Sequence, residues 1–326
     1  MAKTGGRTTG SQAGAPRAPA GARRGRAEAP SRPRSAADLV RETARALVKA
    51  GVAVAHGTAD PVAEAAFIVS EVLQVHPEDF ASIARKPVTA NTIQRVRELV
   101  AERIATRKPA AYLLNKIYMR GVPFYVDERA IVPRSYLGEL LDAYFGVGRD
   151  SLMDTRRIGR VLDLCTGSGC LAILAALTFP KAHIDAVDLS ADALAVARRN
   201  VSDHGLEKRI RLLQGDLFAP IGAAKYDLII SNPPYVDPAG MAGLPDECRH
   251  EPAMAFDGGI DGAVLVRRIL DQLGMHLNPD GGLLCEVGRC RPVLETAYPR
   301  TPFLWLDTEE SEAEVFWLPA KDLPPV

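Results

Sequence analysis

The chain has 326 residues, 47% of them hydrophobic and 25% charged, and its 40 Lys and Arg balance 40 Asp and Glu. Such a composition holds enough apolar surface for a folded core and excludes disorder throughout. The longest apolar run, residues 171–177, is far short of the roughly 18 residues that cross a bilayer, no apolar segment of signal-peptide type follows the basic start, and the five cysteines show neither C-x-x-C nor histidine at ligand spacing, so a membrane span, a disulfide framework and a zinc site are not expected and a reducing cytoplasm is.

The even charge conceals an asymmetry. Residues 1–34 hold eight basic side chains, among them Arg23, Arg24 and Arg26, against one acid, Glu28, so this tail carries +7 and the remainder −7. Rich in Gly, Ala and Pro, it has too little apolar surface to offset the entropy of ordering, and disorder is expected. It reads either as a solubilising extension or as an arm that contacts RNA by neutralising phosphates. From Ser35 the period becomes helical: Leu39, Val40, Thr43, Leu47 and Val48 share a face and Gly51 stops the run. A second helix opens at Asp60-Pro61 and turns Val62, Ala66, Val69 and Leu73 inward, and a third, from about Asn91, does so with Ile93, Val96, Val100 and Ile104. Residues 35–105 thus form a small helical domain without chemistry of its own, suited to recognising a substrate. Its histidines, His56 and His76, are expected at the surface. Residues 106–135 read as a β-hairpin linker, with 121–126 as a strand.

Residues 136–326 alternate strands and helices, the pattern of a doubly wound α/β domain with seven mostly parallel strands at 160–164, 183–187, 210–213, 226–230, 283–287, 303–306 and 315–318. Ligands in such domains lie beyond the carboxyl ends of the strands. The first strand ends in Asp163-Leu164-Cys165-Thr166-Gly167-Ser168-Gly169-Cys170, a glycine turn feeding an apolar helix. Asp188, nineteen residues after Gly169, ends the second strand, placed to accept from ribose hydroxyls. Together they indicate an adenosine-type cofactor, although with Ala172 the turn also fits the looser dinucleotide pattern. The third strand ends in Gly215-Asp216-Leu217-Phe218, where Asp216 is either a loop cap or an adenine ligand. The fourth ends in Asn232-Pro233-Pro234-Tyr235. Its prolines remove two donors and leave carbonyls, Asn232 adds an acceptor and Tyr235 a flat face, an array suited to a planar group with two N–H bonds.

These segments, with Leu244-Pro245-Asp246-Glu247 and His250-Glu251-Pro252, resemble the S-adenosylmethionine-dependent protein-glutamine methyltransferases, from about Ser35 to Leu318. Asp127-Glu128-Arg129 and Val132-Pro133-Arg134-Ser135 resemble the branch that methylates a glutamine of large-subunit ribosomal protein L-three. The sibling branch acts on peptide chain release factors and usually continues Pro-Arg-Pro-Glu-Thr where this chain has Pro133-Arg134-Ser135-Tyr136-Leu137. The resemblance implies a Rossmann-like class I methyltransferase fold, S-adenosylmethionine as cofactor and no metal. It also implies that Asp163, Thr166, Gly167 and Gly169 line the methionine half, Asp188 holds the ribose, Asp216 and Leu217 bound the adenine and Asn232 borders the cofactor. The substrate amide then meets Asn232, Pro233, Pro234 and Tyr235. Asn-Pro-Pro-Tyr also resembles the motif of enzymes that methylate the exocyclic amine of flipped adenine, against which stands the net acidic body. The expected partner is ribosomal protein L-three, free or in an assembling particle, and removal of residues 1–105 is expected to abolish its methylation while sparing cofactor affinity. His250-Glu251 reads as part of a loop closing over the site or as an acid–base pair. Cys165 and Cys170 read as packing residues. Arg134 and Glu139 fit either substrate contact or support of the hairpin.

Overall fold

The computed structural model describes residues 34–54, 60–146, 151–309 and 311–323; the expectations for the basic tail 1–33 and for His56 fall outside them. Helix α1 (Ala36–Lys49) opens on a reciprocal cap: Asp38 N donates to Ser35 Oγ at 3.2 Å and Ser35 N to the Asp38 carboxylate at 3.0 Å. Leu39, Val40, Thr43 and Leu47 are buried, whereas Val48, expected among them, is exposed at the edge of the stripe. Gly51 takes φ +61°, the left-handed conformation that ends the helix. Helix α2 (Pro61–Leu73) is capped by Asp60, which accepts from Val62 N at 2.8 Å. Val69 is buried and Ala66 and Leu73 pack against the core as expected, whereas Val62 is exposed; Ala65 and Ile68 join the buried face, and Glu64 turns inward to meet Arg103 of α3 (Ala90–Thr106). Val96, Leu99 and Val100 close this small core.

After α4 (Ala110–Leu114) the linker forms a hairpin of Ile117–Met119 with Val122–Phe124, paired so that Met119 faces Val122. Arg120 and Gly121, both at positive φ, make the two-residue turn that matches strand twist. The hairpin corrects the expectation for His76. Its Nε2 lies 3.0 Å from Gly121 O and its ring stands edge-on to Tyr118 at 4.8 Å, so this histidine braces the hairpin.

Seven strands build the sheet: β1 (Arg160–Leu164), β2 (His183–Asp188), β3 (Ile210–Gln214), β4 (Tyr226–Ser231), β5 (Leu277–Glu286), β6 (Leu304–Leu306) and β7 (Val315–Pro319). The spatial order is β6-β7-β5-β4-β1-β2-β3, with only β7 antiparallel to its two neighbours. Strand β5 starts six residues before its expected position, since Asn278-Pro279-Asp280-Gly281, a turn by composition, passes a register shift opposite Tyr226 and Leu228 and continues the strand. Helices α5 (Leu137–Tyr144), α6 (Cys170–Thr178) and α7 (Ala191–Asp203) cover one face, and α8 (Val264–His276) and α9 (Arg291–Ala297) the other, each over its own apolar cluster. Every residue of α6 from Cys170 to Ala176 is buried, as its all-round apolar sequence demands. The strand order reverses between β1 and β4, where Ser231 Oγ donates to Leu164 O at 3.0 Å. A doubly wound sheet opens a crevice at such a switch point.

Candidate active site

A cavity of about 380 Å³ lies beyond the carboxyl ends of β1 to β4. The turn after β1 forms one wall. Cys165, Gly167 and Gly169 all adopt positive φ, at +60°, +56° and +81°, which glycine does freely and which for Cys165 is a strain of the kind held at functional sites. The two glycines serve different ends. A Cβ on Gly167 would stand in open space, so this residue leaves the cavity clear, whereas one on Gly169 would meet Ala197 Cβ at 3.1 Å and block the approach of α7. Asp188 closes the turn from β2: its Oδ2 accepts from Gly167 N at 2.7 Å and its Oδ1 from Ser190 N at 2.8 Å. Burial raises its carboxyl above the ordinary value and these backbone bonds pull it back. Behind the turn Asp163 is fully buried. It accepts from Thr166 Oγ1 with one oxygen, and burial lifts it to about 7, with Thr166 and the Ala172 backbone opposing. At the end of β3, Asp216 accepts from Arg268 Nη2 at 2.7 Å, and Leu217, at φ +48°, packs into the cluster beneath α8.

The turn after β4 forms the opposite wall. Asn232 donates Nδ2 to Arg134 O at 3.1 Å, which leaves Oδ1 as its acceptor. Pro234 lines the cavity and Pro233 is buried. Tyr235 does not reach the wall. Its hydroxyl donates to Glu286 Oε1 at 3.1 Å and its ring covers Gly288, where a Cβ would lie 2.6 Å from Cε2.

Residues 244–255 connect this wall to the helical domain. Glu247 Oε1 accepts from Ala53 N at 3.0 Å and faces Arg103 at 3.6 Å and Arg107 at 3.4 Å. Arg103 is fully buried, donating to Glu64 Oε1 at 2.8 Å and to Ala53 O at 2.9 Å. His250 Nε2 lies 2.8 Å from Thr106 O, and Glu251 accepts from Val132 N at 2.8 Å and from Arg134 Nη2 at 2.9 Å. Both side chains are thus committed to holding the segment, which delivers Pro252, Met254 and Ala255 to the cavity; the geometry is that of a structural loop and not of an acid–base pair. Arg134 is part of the same brace, over the Phe256 ring at 5.4 Å. Glu139 accepts from Glu309 N at 3.1 Å, far along the chain from the cavity-lining turns. Burial pushes the thiols of Cys165 and Cys170 up, the latter to about 12, so neither is an activated nucleophile.

The cavity therefore combines a glycine turn open to a ligand, a carboxylate at hydroxyl-binding position, an apolar patch at Leu217 and an oriented amide acceptor. These features suit an adenosine cofactor with a charged tail. Comparison with known proteins finds methyltransferases. A ribosomal protein uL3 glutamine methyltransferase of Bradyrhizobium diazoefficiens is 60% identical over 289 residues, 88% of this chain and 91% of that protein. The chain belongs to this methyltransferase family. A relative of the same name from Bordetella pertussis is 46% identical over 88% of this chain and 95% of its own. The methyltransferase small domain profile matches residues 150–243, and that of the PrmC N-terminal domain matches residues 38–114.

For a member of this methyltransferase family, the residues singled out in the sequence divide into two groups. Gly167, Asp188, Asp216, Leu217, Asn232 and Pro234 line the cavity, while Asp163, Thr166, Gly169, Pro233 and Tyr235 are absent from its lining. Glu286, Ser135 and the Glu64–Arg103–Glu247 group were missed. Glu286 had a signal, since an acid ends an apolar strand in Leu284-Cys285-Glu286, as Asp188 does in β2. Glu247 stands in a segment that carries the resemblance, whereas Glu64 and Arg103 had no signal within their local sequence.

Proposed function

We propose that the chain transfers a methyl group from S-adenosylmethionine to the side-chain amide nitrogen of a glutamine in ribosomal protein uL3, in the cytoplasm. The observation that carries the reading is the fixed Asn232 side chain: with Nδ2 held by Arg134 O, its carbonyl is an acceptor beside two prolines that offer no N–H. Bound S-adenosylmethionine supplies an electrophilic methyl on a positively charged sulfur. Asp188 holds the ribose hydroxyls with the lone pairs that Gly167 and Ser190 leave free, Asp216 and Leu217 bound the adenine, and Gly167 gives room to the methionine half. Asp163 and Gly169 act one layer behind, the first through Thr166 and the second by admitting α7.

The obstacle to transfer is the acceptor, because an amide lone pair is delocalised and weakly nucleophilic. Asn232 Oδ1 and the Pro233 carbonyl accept the two N–H bonds, turn the lone pair toward the methyl and stabilise the positive charge that grows on nitrogen. The amide proton becomes acidic only once the methyl has arrived, so no strong base is needed before attack. Tyr235 serves by setting the course of the turn. The helical domain reads the protein around the glutamine, and the basic tail draws the enzyme to RNA-containing assembling particles.

The test is transfer of labelled methyl to purified uL3 and to a lysate lacking the activity, followed by protease or nuclease. Protease-sensitive label in uL3 is the expected result. Label in a release factor would move the chain to the sibling branch, and nuclease-sensitive label would show that the turn grips adenine. Removal of residues 1–34 is expected to weaken particle binding most at low salt; an unchanged salt dependence would assign the tail to solubility alone.

A further inference from the structure

Behind the Asn232–Tyr235 turn lies a carboxylate that the transfer described above does not use. Glu286 ends β5 and is almost wholly buried. Its Oε1 accepts from the Tyr235 hydroxyl at 3.1 Å, and its Oε2 accepts from Ser135 Oγ at 2.7 Å and Tyr136 N at 3.0 Å. Among the described residues it makes no salt bridge. The charged group that bears on it is another acid, Glu314, just before β7, whose backbone carbonyl takes Val287 N at 2.8 Å. Arg134, next to Ser135 in the chain, donates Nη2 to Glu251 Oε1 at 2.9 Å. An unpaired buried acid costs stability, so its three donors, drawn from two distant segments, call for an explanation. They complete a pattern: Asn232 is tied directly to Arg134 O, and Tyr235 is tied through Glu286 to the next two residues of the chain.

We propose that Glu286 is a positioning residue for methyl transfer, clamping Tyr235 to Ser135 and Tyr136 so that Asn232 and the Pro233 carbonyl stay aimed at the substrate amide. The proposal rests on reading the turn as the amide site. An ionised carboxylate only accepts, and so matches three donors. Once protonated it must donate through one oxygen, and because the Tyr136 N–H cannot reverse, a hydroxyl of Tyr235 or Ser135 must turn round. Burial, with the Glu314 charge adding to it, pushes Glu286 up to about 7, so the clamp changes character across neutral pH. Folding therefore favours the protonated form, and the ionised form lowers stability as pH rises from the ordinary carboxylate value through the raised one.

The test is E286Q, assayed for single-turnover methyl transfer to uL3 at saturating cofactor across neutral pH, with cofactor affinity and thermal midpoint measured alongside. The wild-type rate is expected to fall as pH drops through neutrality. E286Q is expected to lose about tenfold or more in rate above neutrality, as small misplacements do, to lose the inflection, and to keep its cofactor affinity and melt no lower than wild type in alkali. A merely structural role would lower rate and stability together. Glu286→Asp should restore part of the rate and the inflection. Wild-type rate and inflection in E286Q would overturn the proposal. If E286Q fails to fold, Y235F takes its place: a slower rate without the inflection supports the clamp, and wild-type behaviour overturns it. Absence of methyl transfer to uL3 by wild type would instead overturn the functional reading.

Discussion

The turns after β1 and β4 are neighbours, joined by the Ser231 to Leu164 hydrogen bond, yet they are built on opposite principles. The first uses glycines and positive φ and is fixed by backbone bonds to Asp188, nearby in sequence. The second uses prolines and is fixed by the Arg134 backbone carbonyl and by the side chains of Ser135 and Glu286, with the segment that follows it anchored on Arg103 and Arg107. A cofactor with one invariant shape suits a wall made of backbone. The wall proposed to grip the substrate amide is instead braced by distant segments, including the helical domain.

If the two walls are supported independently, damage to one should spare the other. The largest effect is expected for Arg103→Met, which leaves Glu64 and Glu247 buried without their central cation. Stability in urea denaturation should fall by about 3–5 kcal/mol, and protein methylation should weaken while cofactor affinity in the folded fraction holds. Equal loss of both would break the comparison. Truncation of residues 1–105 removes the same arginine, so it disturbs the acceptor wall as well as recognition, more than the sequence suggested. Next, Asn232→Ala should lower turnover by about two to three orders of magnitude without changing the cofactor dissociation constant in calorimetry; near-normal turnover by the folded variant would refute the amide-acceptor role. Gly169→Ala places a Cβ at φ +81° against Ala197 and should cost about 1–3 kcal/mol, with cofactor affinity falling and the KM for protein substrate steady. The smallest effect is a change of slope. Asp163 is raised by burial from 3.8 to about 7, so its ionisation makes the fold less stable as pH rises between those values. Asp163→Asn should flatten that part of the stability profile, seen in thermal midpoints, and an unaltered slope would show that the carboxyl is not the group responsible.

The contrast also explains what was legible in the sequence. Strands β1 to β4 and the glycine turn stand out because their signals are local: apolar runs, punctuating glycines, and Asp188 at the end of its own strand. On α2 the burial of Glu64 was not legible, because it looks like a surface residue until Arg103 is opposite it. Glu286 and Ser135 are 151 residues apart, and Arg107 and Glu247 are 140 apart; no periodicity joins such partners, and only the completed fold reveals which charges are shared. Tyr235 shows what a recognised motif leaves out, since the partner of its hydroxyl, Glu286, lies 51 residues away.

The Arg103 group also imposes an order of events on synthesis. Arg103 meets Glu64 as soon as the helices have emerged, because both belong to the first part of the chain. Glu247, and with it the segment that brings Pro252, Met254 and Ala255 to the cavity, follows about 140 residues after Arg107. Domains fold in the order they leave the ribosome, so the helical domain is in place first and the acceptor wall closes onto it last. A partly made chain therefore carries the helical domain before it has the segment that completes the cavity.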